Sequence, residues 1–137
     1  PLANADELLT LASIVEKETG LARERPLIAG VFVRRLKLGM RLQTDPTVIY
    51  GIGSSFDGNL TRRHLETDTP YNTYTRFGLP PTPIGNPGVP SMRAATRPAG
   101  RNHLFYLRRP GTVRHFFTAS EEDFCAKARE WGYTEDC

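Results

Sequence analysis

The stretch LLTLASIVEKET, Leu8 to Thr19, decides how the rest of the chain is read. At about 100° per residue, Leu8, Leu9, Leu11, Ala12, Ile14 and Val15 sweep out a wide apolar arc, the mark of a helix buried over much of its circumference. Thr10 and Lys17 mark its wet side. Asn4 or Asp6 caps its start, and Gly20 stops it. Two carboxylates border the arc, Glu16 beside Leu9 and Ala12, and Glu18 beside Leu11 and Ile14. A carboxyl against an apolar wall loses hydration, which disfavours its charged form and keeps a proton available near neutral pH. Most helix glutamates are simply solvated, and periodicity does not choose between these two.

Working outward, residues 24 to 38, ERPLIAGVFVRRLKL, read as a second helix paired with the first. Pro26 suits its first turn, Leu27, Ile28, Val31, Phe32 and Leu36 form its stripe, and Gly39 ends it. Arg34, Arg35 and Lys37 fall largely outside that stripe. Asp45-Pro46 starts a turn or a helix, and Val48 to Tyr50 form either a strand or one helical turn. Thr61 caps a small helix running to Leu65. Residues 66 to 90 are dense in Pro, Gly, Thr and Asn, with Tyr71, Tyr74 and Phe77 embedded. A loop this long is either a rigid cover for the core or the wall of a cleft. Ser91 to Thr96 is helical, Leu104 to Leu107 and Arg114 to Phe117 form a hairpin, and Thr118 or Ser120 caps a last helix that buries Phe124, Ala128 and Trp131. The fold class expected is α+β: a helical pair, a long Pro/Gly-rich cleft loop, a small β-hairpin and a C-terminal helix.

The totals exclude several functions. At 137 residues, 39% hydrophobic and 24% charged, the chain reads as one compact globular domain over residues 1–137. No apolar run approaches the ~20 residues needed to span a bilayer. The chain opens on Pro1 with no signal-peptide pattern, so a targeting segment is expected upstream. The net charge is +3 and the pI about 9.1. The basic residues are mostly arginines, in scattered pairs, without any nucleic-acid recognition signature. They describe a solvated surface, or attraction to an anionic polymer or membrane. His64, His103 and His115 have no metal-ligand spacing, so neither metal nor cofactor is expected. Cys125 and Cys137 either form a disulfide or leave Cys125 as a buried thiol.

Five blocks stand in a familiar order: LASIVEKETG (Leu11 to Gly20), GMRLQTDPTVIYG (Gly39 to Gly51), YNTY (Tyr71 to Tyr74), GLPPTPIGNPG (Gly78 to Gly88) and HFF (His115 to Phe117). Together they resemble the MltG, or YceG-like, family of endolytic murein transglycosylases over nearly the whole chain. The resemblance implies the catalytic part of an enzyme that cleaves within peptidoglycan glycan strands. It implies a place on the outer side of the cytoplasmic membrane, an N-terminal membrane anchor and a LysM-like region outside this chain, and peptidoglycan synthases (penicillin-binding proteins) as neighbours. Thr82 departs from the family pattern, as do a missing histidine near Asp123 and Phe124 and the basic loop Arg108 to Arg114.

The resemblance puts the catalytic acid/base on the first glutamate of the EKE block, Glu16, and leaves Glu18 to support the site through backbone or an arginine. Such an enzyme needs one carboxyl. It protonates the leaving oxygen between N-acetylmuramic acid and N-acetylglucosamine, the sugar's own 6-hydroxyl attacks, and a 1,6-anhydro end results. Gln43 and Asp45 are expected to orient amides and hydroxyls of the substrate, or else to serve the turn around Pro46. Tyr71, Asn72 and Tyr74 are expected to contact sugar faces and acetamido groups, or else to staple the loop. Glu16 is expected to line a cleft facing the Tyr71–Pro83 loop, with Glu18 pointing elsewhere. The alternatives are a hydrolytic muramidase pairing Glu16 with Asp45 or Glu66, and a non-catalytic peptidoglycan-binding module.

Overall fold

A computed structural model describes residues 2–133 and 137. The architecture is α+β. Helices α1 (Ala5–Glu18), α2 (Arg25–Leu38), α3 (Asp45–Ile52), α4 (Arg62–Glu66) and α5 (Val89–Thr96) are followed by strands β1 (Phe105–Arg108) and β2 (His115–Thr118) and by α6 (Glu121–Glu130). Among the described residues, no helix is long and apolar enough to cross a membrane.

The α1 cap is Asn4, whose side chain accepts from the Glu7 N–H at 2.9 Å. Leu11, Ala12, Ile14 and Val15 are fully buried. Thr10, expected on the wet side, is buried too, because its hydroxyl donates to the Asp6 carbonyl at 2.8 Å and so crosses into the core satisfied. Ser13 does the same with Thr10, and its oxygen also accepts the Ile84 N–H at 3.0 Å. The reason lies in α5. This short helix packs against both α1 and α2, and Ala94, Ala95 and Ile84 complete an apolar cluster with Leu11, Ile14, Ile28, Phe32 and Leu42.

The α2 helix ends at Gly39 in the left-handed conformation, φ 71°. Arg34 and Arg35, expected in solvent, instead pin the chain that leads into the hairpin. Arg34 donates to the carbonyls of His103 (2.7 Å) and Ala99 (3.0 Å). Arg35 is buried and donates to Leu104 (2.8 Å), Arg41 (3.1 Å) and Leu42 (3.1 Å). A guanidinium tolerates burial when its fork finds carbonyls on several sides. Gly30 admits the same segment, since a Cβ there would lie 2.8 Å from the Ala99 carbonyl.

Val48 to Tyr50 belong to the helix α3, which starts at Asp45-Pro46. Thr61 caps α4 and Ser120 caps α6. The strands pair antiparallel, from Phe105 opposite Thr118 to Arg108 opposite His115. Glu24, at the α1–α2 turn, anchors this hairpin: it accepts the His115 backbone N–H at 3.0 Å and pairs with the imidazole Nδ1 at 2.8 Å. Cys125 and Cys137 are joined by a disulfide, with Cα atoms 5.8 Å apart.

Candidate active site

Glu16 and Glu18 leave the last turn of α1 about 200° apart, and the fold gives them opposite environments. Glu16 reaches the start of α5, where Oε1 accepts the Gly88 N–H at 2.8 Å and the Ser91 hydroxyl at 2.9 Å. Gly88 is the N-cap of α5 and no α5 side chain caps that helix itself, so a carboxylate from another helix does so. The Gly88 N–H holds the Glu16 carboxyl below the usual carboxylate range, followed by the Ser91 hydroxyl, against some burial and with help from Arg25 and Lys17. This reverses the expectation of a dry, protonated Glu16. Two good donors stabilise its charged form and outweigh the effect of burial.

Glu18 has the properties expected of the acid. Burial, then the charge of Asp45, push its carboxyl up to about 8, with a smaller opposing pull from the Thr44 hydroxyl. The residue as a whole is half-buried, and its carboxyl is dehydrated. The Tyr106 hydroxyl donates to its Oε2. Glu18 therefore points toward the start of α3 and the hairpin, and it meets the hydroxyls of Tyr106 and Thr44 where backbone or an arginine was expected.

The segment Gln43-Thr44-Asp45 forms the facing rim. Gln43 is exposed and left-handed, φ 52°. Its Oε1 lies 3.4 Å from Arg35 and its N–H donates to the Thr73 carbonyl at 3.2 Å. A non-glycine residue in that region is held there by its surroundings, here by Arg35 beneath and Thr73 beside it. Thr73 also bonds the Thr44 N–H (3.0 Å) and the Thr47 hydroxyl (2.9 Å). Asp45 is exposed and accepts from the Tyr74 hydroxyl at 2.5 Å.

Asn72 is not on that rim. It is 1% exposed, its amide donates to Leu65 (3.0 Å) and Thr67 (2.8 Å), and its oxygen accepts from the N–H groups of Tyr74 (2.8 Å) and Thr75 (3.3 Å). Its polar capacity is spent inside the loop, so it acts as the staple that presents Tyr74. Tyr71 packs its ring on Tyr50 at 4.9 Å and bonds Thr82 at 2.7 Å, so the unusual Thr82 ties the loop to itself. The loop also walls a cavity of about 270 Å³ beside Thr73 and Phe77. Glu66 is the exposed last residue of α4. Among the described residues, no group of His, Cys, Asp and Glu could hold a metal ion.

Tyr106, Thr44 and Ser91 escaped the sequence reading. Tyr106 lies in a strand with no motif, and nothing local signals that its hydroxyl meets a residue 88 positions away.

Residues 1–130 match the YceG-like family. The chain is 46% identical over 101 residues to an endolytic murein transglycosylase of Bacillus subtilis, covering 74% of this chain and 28% of that protein. It is 31% identical over 122 residues to a protein of the same name from Streptococcus pneumoniae, covering 86% of this chain and 22% of the relative. The chain thus spans about a quarter of the length of these relatives. A crystal structure of a YceG-like protein from Listeria monocytogenes superposes with a TM-score of 0.82 at 42% identity, over 89% of this chain and 39% of that one.

Proposed function

The chain belongs to the YceG-like family, and from that premise we propose that it is the catalytic part of an endolytic murein transglycosylase in which Glu18, rather than Glu16, is the general acid and base. The observation that carries this reading is the Glu18 carboxyl, buried between Asp45 and the Tyr106 hydroxyl and pushed up to about 8. At neutral pH such a group holds the proton that glycosidic cleavage requires. The names of the Bacillus subtilis and Streptococcus pneumoniae relatives supply the reaction.

The glycan lies along the rim formed by Gln43, Asp45 and Tyr74. Glu18 gives its proton to the oxygen leaving the anomeric carbon of N-acetylmuramic acid. Positive charge develops on the ring, and the nearby Asp45 carboxylate, oriented by Tyr74, stabilises it. The 6-hydroxyl of the same sugar attacks the anomeric carbon and returns its proton to Glu18, so no water is consumed and a 1,6-anhydro end forms. The Tyr50–Tyr71 ring pair offers an apolar face to a neighbouring sugar. The working place is outside the cytoplasmic membrane, where peptidoglycan lies and where a disulfide such as Cys125–Cys137 persists. Peptidoglycan synthases are the expected neighbours there, and an anchor outside this chain the expected tether.

The test is digestion of purified sacculi followed by mass analysis of the fragments. Anhydro ends are expected, one water lighter than reducing ends. Glu18→Gln should slow cleavage by about 10²–10⁴-fold, and Glu16→Gln by less than about tenfold. Reducing ends would favour hydrolysis with Asp45 as the second carboxylate. The opposite ranking of the two variants would return the acid role to Glu16. Binding of sacculi by wild type without cleavage would favour a binding module.

A further inference from the structure

One contact of the Glu18 carboxyl takes no part in the cleavage steps. Glu18 is faced from α3 by Asp45, whose partner is Tyr74, and from β1 by Tyr106. Behind Tyr106 stand His115 of β2 and its partner Glu24. Arg35 of α2 is turned to Gln43 and the Leu104 carbonyl, and Lys17, on α1 itself, lies against Gly85. Two hydroxyls act on the acid: that of Thr44, at the start of α3, favours its charged form, and that of Tyr106 donates to Oε2.

We infer that Tyr106 is a positioning residue for the proposed reaction: by donating to Oε2 of Glu18 it keeps the transferable proton on Oε1, and it stabilises the carboxylate left when that proton has gone. A neutral carboxyl has one oxygen that accepts and one that carries hydrogen. A phenol donating to Oε2 makes Oε2 the acceptor, which assigns the O–H to Oε1. The charge of Asp45 favours protonation of the carboxyl as a whole without choosing an oxygen, and the Thr44 hydroxyl favours the charged form; the donor placed on Oε2 is Tyr106.

The hydroxyl is delivered by a ring with little freedom. Tyr106 packs edge-on against Phe32 at 5.8 Å and His115 at 5.6 Å, with Phe117 at 6.3 Å. His115 is in turn locked by Glu24 through two hydrogen bonds. The backbone of Tyr106 is paired with Phe117 across the hairpin. In the reaction the proton moves from Oε1 to the glycosidic oxygen as the bond to the anomeric carbon breaks and its electron pair leaves with that oxygen. The Oε1 atom takes the proton of the 6-hydroxyl as the new C–O bond forms, while the bond from Tyr106 to Oε2 persists throughout. The device acts mainly on the charged form of Glu18, so its removal should raise the proton affinity of the carboxyl.

The inference rests on Glu18 being the acid, and its test reads the carboxyl directly as well as through turnover. The Glu18 carboxyl carbon is titrated by ¹³C NMR in wild type, in Tyr106→Phe, which keeps the ring and drops the oxygen, and with 3-fluorotyrosine at position 106, whose more acidic phenol donates more strongly. The midpoint should rise by about one pH unit in the Phe protein and fall in the fluorotyrosine protein. The alkaline limb of the cleavage rate should move the same way, with kcat of Tyr106→Phe lowered on the order of tenfold and KM unchanged. An unchanged midpoint in both proteins, with wild-type cleavage intact, overturns the role of Tyr106 and leaves Glu18 as the acid. Shifted midpoints alongside full activity of Glu18→Gln would instead overturn the reading of Glu18.

Discussion

Glu16 and Glu18 are separated by one lysine and share a helix, yet their protons are held very differently. Glu16 meets two donors at the start of α5 and stays ionised, while Glu18 meets burial and another carboxylate. The difference also governs stability. Glu18 binds its proton more tightly folded, at about 8, than unfolded, at about 4.5. Its contribution is fully present below the unfolded value and is lost as pH rises through the folded one. Glu18→Gln should therefore match wild type near pH 4 and exceed it by on the order of 1–3 kcal/mol near pH 8. Urea unfolding at both pH values checks this, and parallel pH dependences in the two proteins would contradict it. Glu16 has the opposite sign, with stability present above its unfolded value and lost in acid as the pH falls through the folded one. An acid that becomes more stable when neutralised has the trade-off expected of a working site.

At the scale of elements, the helices and turns were legible because their signals are local. Asn4, Thr61 and Ser120 cap helices within three residues of themselves, and Gly39 ends α2 through its own φ. Asp45-Pro46 could not announce whether a strand or a helix follows, because Val48 to Tyr50 are too few to set a period. The loop over residues 66 to 90 was recognisable as ordered, but its inner economy was not. Asn72 organises it by satisfying two carbonyls and two N–H groups from a buried position. Asn72→Ala should cost about 2–4 kcal/mol, since it strands those groups away from water. It should also weaken cleavage by releasing Tyr74 from Asp45. Proteolysis within residues 66 to 90 and thermal unfolding test this, and a variant as protease-resistant and heat-stable as wild type would refute it.

Across the described residues, long-range ties hold the hairpin against the helices: Arg34 and Arg35 from α2, Glu24 on His115, and Tyr106 on Glu18. The disulfide closes the far side, where α6 packs on the two strands. Its bond restrains a separation of 12 residues, worth roughly 2–3 kcal/mol through the unfolded chain. Reduction should lower the melting temperature by roughly 5–10 °C and leave the cleavage rate below melting unchanged, because α6 stands away from Glu18. Loss of cleavage without a thermal shift would place the disulfide in the site instead.

The sequence by itself determined the α+β class, the order and caps of most elements, the ordered loop and the pair of glutamates from which the proposed acid is drawn. These follow from patterns confined to a few neighbouring residues. Tertiary structure decided which glutamate holds a proton. The partners that set each carboxyl are Gly88 and Ser91, 72 and 75 residues beyond Glu16, and Tyr106, 88 beyond Glu18. A pKa is set by what surrounds a group in space, and no helical period on α1 records what folds against it.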